Sequence, residues 1–89
     1  MSVRSEQVQI HPAVTAERID GGSVLVHLET NEIFELNATG SRIFELLRAR
    51  KSRSEIGQAL VEEFEIDGVT AERQLDEFLA ELRRRKILV

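Results

Sequence analysis

Hydrophobic and polar residues alternate over most of the first part of the chain, a pattern typical of half-buried strands. The alternation predicts strands at Val14 to Ile19, Ser23 to Leu28 and Ile33 to Leu36. Asp20-Gly21-Gly22 predicts a tight turn between the first two strands, because glycine adopts positive φ without steric cost. Asn31 is the expected left-handed residue of the second turn. We therefore expect a three-stranded antiparallel meander.

The hydrophobic period changes to the helical value of about 3.6 residues at Asn37, which is a favourable helix N-cap. A second helix is expected to begin at Ser52, because Glu55 three residues later completes a capping-box pattern. Asp67 or Thr70 is expected to cap a third helix. Three strands followed by three helices predict an α+β domain of winged helix-turn-helix type.

The two ends of the chain differ in pattern. Residues 1–11 are polar and unpatterned, so we expect a flexible tail there and a folded domain over residues 12–89. Ile87-Leu88-Val89 is apolar and is expected to pack back on the core. A chain of 89 residues allows one domain at most.

Composition and charge narrow the classes of function. The chain has no cysteine, which excludes disulfides and thiolate metal sites. No segment approaches the roughly 20 apolar residues of a membrane span, and no signal peptide precedes the domain, so we expect a cytoplasmic protein. Residues 1–36 hold two Lys/Arg and six Asp/Glu, and so account for the whole net charge of −4. An acidic chain binds nucleic-acid phosphates poorly.

The sequence offers little for catalysis. Its two histidines are His11, beside the expected tail, and His27, on a strand between apolar neighbours. Neither has a suggested nucleophile to activate, so His27 is interpreted as a half-exposed strand residue. There is no glycine-rich phosphate loop. We therefore expect no enzyme activity and no cofactor.

The third strand is a candidate binding element, because it ends the meander and should leave one edge unpaired. Residues 33–36 contain no proline or lysine, the residues that commonly protect such an edge. An extended peptide could add there as a further strand. Phe34 and Leu36 are expected to face the core, and Ile33 to face outward.

The third helix offers a second candidate surface. At about 100° per residue, its apolar positions form one stripe, and Leu79 lies to one side of it with Glu72, Asp76 and Arg83. A groove between this flank and the strand edge could hold peptide side chains. The predicted peptide-binding residues are Ile33, Phe34, Glu35, Leu36, Glu72, Leu75, Asp76, Leu79 and Arg83.

A DNA-binding regulator is the alternative, because a winged helix often places its last helix in the major groove. Here that helix carries carboxylates that would face phosphates. The basic clusters at residues 48–53 and 83–86 stand at helix C-termini, where cations complement the helix dipole. A structural subunit that docks on a larger enzyme without touching peptide is a third interpretation.

The stretch LETNEIFELNATGSRIFELL resembles the PqqD-like family. In that family a strand ends in Leu-Asn, here Leu36 and Asn37, followed by a small residue or threonine and an aromatic residue, here Thr39 and Phe44. The two later helices are similar to the family's in character and spacing. Phe44 stands where tryptophan is common, and the second turn lacks the usual glycine.

This resemblance implies a winged-helix element that recognises the leader of a ribosomally made precursor peptide. The leader would add beside the third strand, pack against the third helix and be presented to a radical-SAM enzyme, a cyclase or a protease. Nucleic acid and membrane are not expected partners. A monomer or a weak homodimer is expected, because an exposed strand edge also permits self-pairing.

Overall fold

A computed structural model describes residues 9–89 and contains three strands followed by three helices. The strands are β1 (Val14–Ile19), β2 (Gly22–His27) and β3 (Glu32–Leu36), and the helices are α1 (Ala38–Arg48), α2 (Arg53–Phe64) and α3 (Gly68–Arg84). The predicted α+β architecture is confirmed, and each strand begins and ends within one residue of its predicted position.

The strands form one antiparallel sheet in the order β1-β2-β3. The predicted left-handed position in the second turn is confirmed, because Asn31 has a φ of 64°. Gly21 has a φ of 78° in the first turn, a conformation that glycine adopts without strain. The two turns therefore place β2 at the centre of the sheet, with β1 and β3 at its sides.

Each helix begins at a side-chain cap, as the sequence predicts. The Asn37 side chain accepts a hydrogen bond of 2.9 Å from the third backbone N–H of α1. Ser52 and Glu55 form the complete capping box of α2. Asp67, rather than Thr70, caps α3 and accepts a hydrogen bond of 2.7 Å from its third backbone N–H. These caps satisfy backbone donors that a helix start leaves unpaired.

The hydrophobic core lies between the inner face of the sheet and the three helices. It is formed by Leu25, Ile43, Phe44, Leu46, Leu47, Ile56, Leu60, Ala71, Leu75, Leu79, Leu82, Ile87 and Leu88. Phe34 and Leu36 of β3 pack against this cluster while remaining partly exposed. The core thus fixes where β3 lies relative to the helices.

The two ends of the described chain pair with each other. The N–H of His11 donates to the carbonyl of Ile87 over 2.7 Å, and the N–H of Val89 donates to the carbonyl of Gln9 over 2.9 Å. Ile87 and Leu88 are buried, which confirms that these two residues pack on the core, whereas Val89 is exposed. Residues 1–8 of the predicted tail lie outside the described residues, whereas residues 9–11 take part in this pairing.

His27 is buried to 1% exposure, so the prediction of a half-exposed histidine is wrong. Its Nε2 donates to the carbonyl of Lys86 over 3.0 Å, and its Nδ1 accepts from the N–H of Glu29 over 3.3 Å. The C-terminal segment covers this face of β2, so the ring of His27 is buried between β2 and that segment. Both ring nitrogens are therefore engaged in hydrogen bonds.

The helices within residues 9–89 include none that is long and apolar enough to cross a membrane.

Candidate functional site

The outer side of β3 is an edge of the sheet. β2 pairs with the inner side of β3, and no other strand within residues 9–89 pairs with the outer side. Ile33, the second residue of this strand, is 68% exposed. A strand of this kind offers unpaired main-chain groups to another chain.

The hydrogen bonds of β2 establish which main-chain groups face β3. The N–H of Leu28 donates to the carbonyl of Ala13, so Leu28 directs its main chain toward the β1 side. Main-chain directions alternate along a strand, and the β1–β2 register is unbroken. Leu25, three residues before Leu28, therefore directs its N–H and C=O toward β3.

The β2–β3 register shows which main-chain groups of β3 face β2 and which face the outer side of the sheet. Leu25 lies directly opposite Phe34, so Phe34 and Leu36 use their main-chain groups to bond β2. The intervening residues Ile33 and Glu35 direct their N–H and C=O groups outward. We call these four groups the β3 edge. They offer two donors and two acceptors to an added strand.

The side chains of β3 alternate as the sequence predicts. Phe34 and Leu36 are partly buried against the core, whereas Ile33 and Glu35 are exposed. A strand added at the β3 edge would have the same alternation. Every second side chain of that strand would therefore point to the helical side of the sheet.

A groove of about 400 Å³ lies beside the C-terminal end of β3, between the start of α1 and one side of α3. We call it the β3–α3 groove. It is lined by Glu35, Leu36, Asn37, Thr39, Gly40, Ile43, Gln74, Glu77, Phe78 and Glu81. The groove adjoins the β3 edge, so side chains of an added strand could enter it.

The apolar surface of the groove comes from Leu36, Ile43 and Phe78. Gly40 of α1 lies close to the aromatic ring of Phe78 on α3. A Cβ atom on Gly40 would lie only 3.0 Å from Cε1 of Phe78, so a side chain at this position would press on the ring. The ring of Phe78 remains partly exposed and is available to a ligand.

The charged lining of the groove is acidic. It contains Glu35, Glu77 and Glu81. Glu81 binds both Arg84 and Arg85. Within residues 9–89, neither Glu35 nor Glu77 forms an ion pair or a side-chain hydrogen bond.

Arg85 connects α3 to β3 at the end of the helix. Its guanidinium carbon lies 4.7 Å from the centroid of the Phe34 ring, a distance typical of a cation–π contact. The same guanidinium group binds Glu81. The cation–π contact joins the end of α3 to β3.

The structure corrects the predicted geometry of α3. Leu75 and Leu79 are 0% and 1% exposed, so both belong to the core and neither lines the groove. Glu72 and Asp76 both bind Arg53 of α2, with a distance of 3.2 Å for Glu72. The flank chosen from the sequence therefore faces α2 rather than β3.

The correction extends to Arg83, which is exposed on the same flank at the helical positions of Glu72 and Asp76. The side of α3 that faces β3 instead presents Gln74, Phe78 and other lining residues of the groove. The sequence signal for this side is Phe78, an apolar residue at one margin of the apolar stripe of α3. Its partial exposure distinguishes it from the fully buried residues of that stripe.

Hydrogen bonding between Arg53 and the α3 carboxylates has an electrostatic consequence. Asp76 first, and then Glu72, raise the pKa of Arg53 above its usual value, although partial burial acts in the opposite direction. This cluster links α2 to α3. We assign it a structural role.

The described part of the chain contains no group of three or more His, Cys, Asp or Glu side chains placed to hold a metal ion. What the site offers a ligand is a set of main-chain hydrogen bonds, a partly exposed aromatic ring and carboxylates. Such groups suit the recognition of an extended peptide.

The sequence model of the family described as "Coenzyme PQQ synthesis protein D (PqqD)" matches residues 22–88. The chain belongs to the PqqD family. The matched segment includes β2, β3 and all three helices, and therefore the whole β3 edge and the whole β3–α3 groove. None of the curated proteins matches the chain.

Two solved structures resemble this PqqD-family protein. One, "TbiB1 in Complex with the TbiA(beta) Leader Peptide", is 41% identical, has a TM-score of 0.85 and covers 90% of this chain and 93% of its own. The other, "Lasso peptide synthetase B1 complexed with the leader peptide", is 24% identical, has a TM-score of 0.86 and covers 93% and 98%. At that lower identity, the second supports the fold alone.

Proposed function

We propose that this PqqD-family protein binds the leader of a ribosomally synthesised precursor peptide by strand addition and presents it to a separate maturation enzyme. The β3 edge carries the proposal. The main-chain groups of Ile33 and Glu35 point outward there, next to a groove large enough for side chains.

Binding divides into two contributions. Hydrogen bonds from the leader main chain to Ile33 and Glu35 supply affinity with little dependence on leader sequence. Side chains that point toward the helices meet Phe78 and its neighbours in the β3–α3 groove, which supplies selectivity. The α3 contacts of the leader therefore come from the side of the helix that faces β3.

Similarity to a leader-peptide complex supports the proposal. TbiB1 is 41% identical over nine-tenths of the chain, and its structure was obtained with the TbiA(beta) leader peptide. Because that protein has the same fold and binds a leader peptide, we infer that the β3 edge of this protein also binds a peptide. The DNA alternative gains no support from α3, because its exposed surface carries Glu72, Asp76 and Glu77.

The proposed role is that of a peptide chaperone rather than a catalyst. A bound leader keeps the rest of the precursor near a partner enzyme and raises its effective concentration there. The partner would be a radical-SAM enzyme, a cyclase or a protease. The protein itself would need no cofactor for this role.

The proposal is tested by fluorescence anisotropy with labelled TbiA(beta) leader. We expect saturable binding that Phe78→Ala weakens about tenfold, because a partly exposed aromatic ring loses roughly 50 Å² of contact at about 25 cal/mol per Å². Phe64→Ala is the matched control, since Phe64 is also partly buried but lies outside the groove.

Circular dichroism must show both variants folded. Equal binding by Phe78→Ala and wild type would contradict the assignment of the groove. Absence of leader binding, together with salt-sensitive binding of random duplex DNA, would contradict the proposed function itself.

A further inference from the structure

The charges that line the β3–α3 groove all have one sign. The residues that line it include three glutamates and no Lys, Arg or His. A peptide that enters the groove therefore meets a negative potential.

The three carboxylates differ in how far their charge is compensated. Glu81 binds Arg84 and Arg85, so its charge is largely offset within α3 and just beyond it. Glu35 and Glu77 have no cationic partner within the described residues 9–89. These two carboxylates are therefore available to a cation brought by the ligand.

Strand addition would bring a leader side chain next to Glu35. The main chain of Glu35 points to the β3 edge, so in an antiparallel arrangement the leader residue opposite it presents its side chain on the same face. Opposed Cβ atoms in such pairs lie about 4.5–5.5 Å apart, and opposite charges at these positions attract. A parallel strand would place the neighbouring side chains within reach of the same carboxylate.

Glu77 would contact different side chains of the leader from those that Glu35 contacts. It lies on α3, across the groove from β3, where it can meet leader side chains that point toward the helices. Glu35 and Glu77 therefore flank the added strand from two directions. Together they define the charge that a leader should carry at this point.

We propose that Glu35 and Glu77 make the β3 edge and the adjoining groove selective for leaders that place a lysine or arginine beside the C-terminal half of β3. This inference rests on the proposed leader binding and adds a chemical criterion to it. The main-chain bonds hold any extended peptide. The two carboxylates discriminate among peptides by charge.

The expected discrimination is moderate, because both carboxylates are exposed. One exposed ion pair changes affinity by roughly two- to fivefold, and a like-charge contact weakens it by a similar factor. A lysine leader should therefore bind about tenfold tighter than a glutamate leader at the selective position. The ratio should shrink in high salt, which screens exposed charges.

A charge scan of the TbiA(beta) leader tests the inference. Each leader position is replaced in turn by lysine and by glutamate, and anisotropy measures the affinity ratio of the two peptides. We expect a ratio of about ten at one or two neighbouring positions. The ratio should fall to about one in the Glu35→Gln, Glu77→Gln double variant.

Glu62→Gln is the matched control, because Glu62 is an exposed carboxylate on α2 outside the groove. It should leave the ratio unchanged. Leader binding without charge discrimination, or discrimination that survives in the double variant, would overturn the inference and leave the proposed function standing. If the unsubstituted leader and all its variants fail to bind, the proposed function is overturned together with the inference.

Discussion

Replacement of Ile33 by proline removes one hydrogen-bond donor from the β3 edge. The N–H of Ile33 points away from β2, so the change should leave the β2–β3 hydrogen bonds in place. Proline is tolerated on edge strands when its missing N–H faces outward. We therefore expect Ile33→Pro to fold and to bind leader weakly.

The magnitude follows from the lost hydrogen bond. Loss of the donor costs about 1–3 kcal/mol, because a leader carbonyl is left without a hydrogen-bond partner. A loss near 2 kcal/mol corresponds to a roughly 30-fold loss of affinity. The side chain of Ile33 is 68% exposed, so its removal alone should have a small effect on folding.

Anisotropy with TbiA(beta) leader measures the loss, and two further variants separate its causes. Ile33→Ala keeps the N–H and should bind within about threefold of wild type, because only one exposed side chain is removed. Phe34→Pro removes a donor that bonds β2 and also the partly buried ring of Phe34, so it should destabilise the domain by about 3 kcal/mol or more. Urea denaturation reports the stability of all three variants.

Two results would refute this reasoning. If Ile33→Pro unfolds the domain as Phe34→Pro does, the N–H of Ile33 is not an outward-facing group. If Ile33→Pro folds and binds leader as tightly as wild type, the leader does not use this part of the β3 edge.

Three further predictions concern stability, each measured by urea denaturation. His27→Ala should cost about 3 kcal/mol, because it empties a buried site and leaves two backbone partners unpaired; a cost below about 1 kcal/mol would contradict the structural role. Ser52→Ala should cost about 1 kcal/mol through loss of the α2 capping box, and no change would refute that role. A backbone hydrogen bond from Thr70 lowers the pKa of Asp67, so its stabilisation is complete above the unfolded-state pKa and is lost as pH falls through the folded-state pKa. In Asp67→Asn, the free energy of unfolding should therefore decrease less steeply as pH falls through the acid range. An unchanged decrease would contradict the capping role of the Asp67 carboxylate.

The elements of the fold could be predicted from the sequence because their signals are local. Asn37 and Ser52 act within one helical turn, and strand alternation is visible within six residues. The unpaired side of β3 also followed from the sequence, since the last strand of a meander has a neighbour on one side. Its pattern of outward main-chain groups required the register between strands.

The orientation of α3 could not be predicted in the same way. A helical projection places Leu79 beside the apolar stripe, but it does not say which neighbour covers each side. The structure shows α2 on that side, joined to α3 by Arg53 and its two carboxylate partners. The groove consequently lies on the opposite side, around Phe78.

The burial of His27 had a similar cause. The carbonyl that accepts from its ring belongs to Lys86, which lies 59 positions later in the chain. The alternation of residues within β2 predicts which face of the sheet the His27 ring lies on. It does not predict which segment of the chain covers that face. A contact between distant segments decides between a structural and a surface histidine.

Residue-resolved amide hydrogen exchange, with and without saturating TbiA(beta) leader, tests the central claim most directly. Without leader, the amides of Phe34 and Leu36 should be protected by β2, and those of Ile33 and Glu35 should exchange rapidly. With leader, Ile33 and Glu35 should become protected as well, since their N–H groups now bond the added strand. If leader binds but the exchange of Ile33 and Glu35 stays rapid, the peptide does not add to β3 and the account is contradicted.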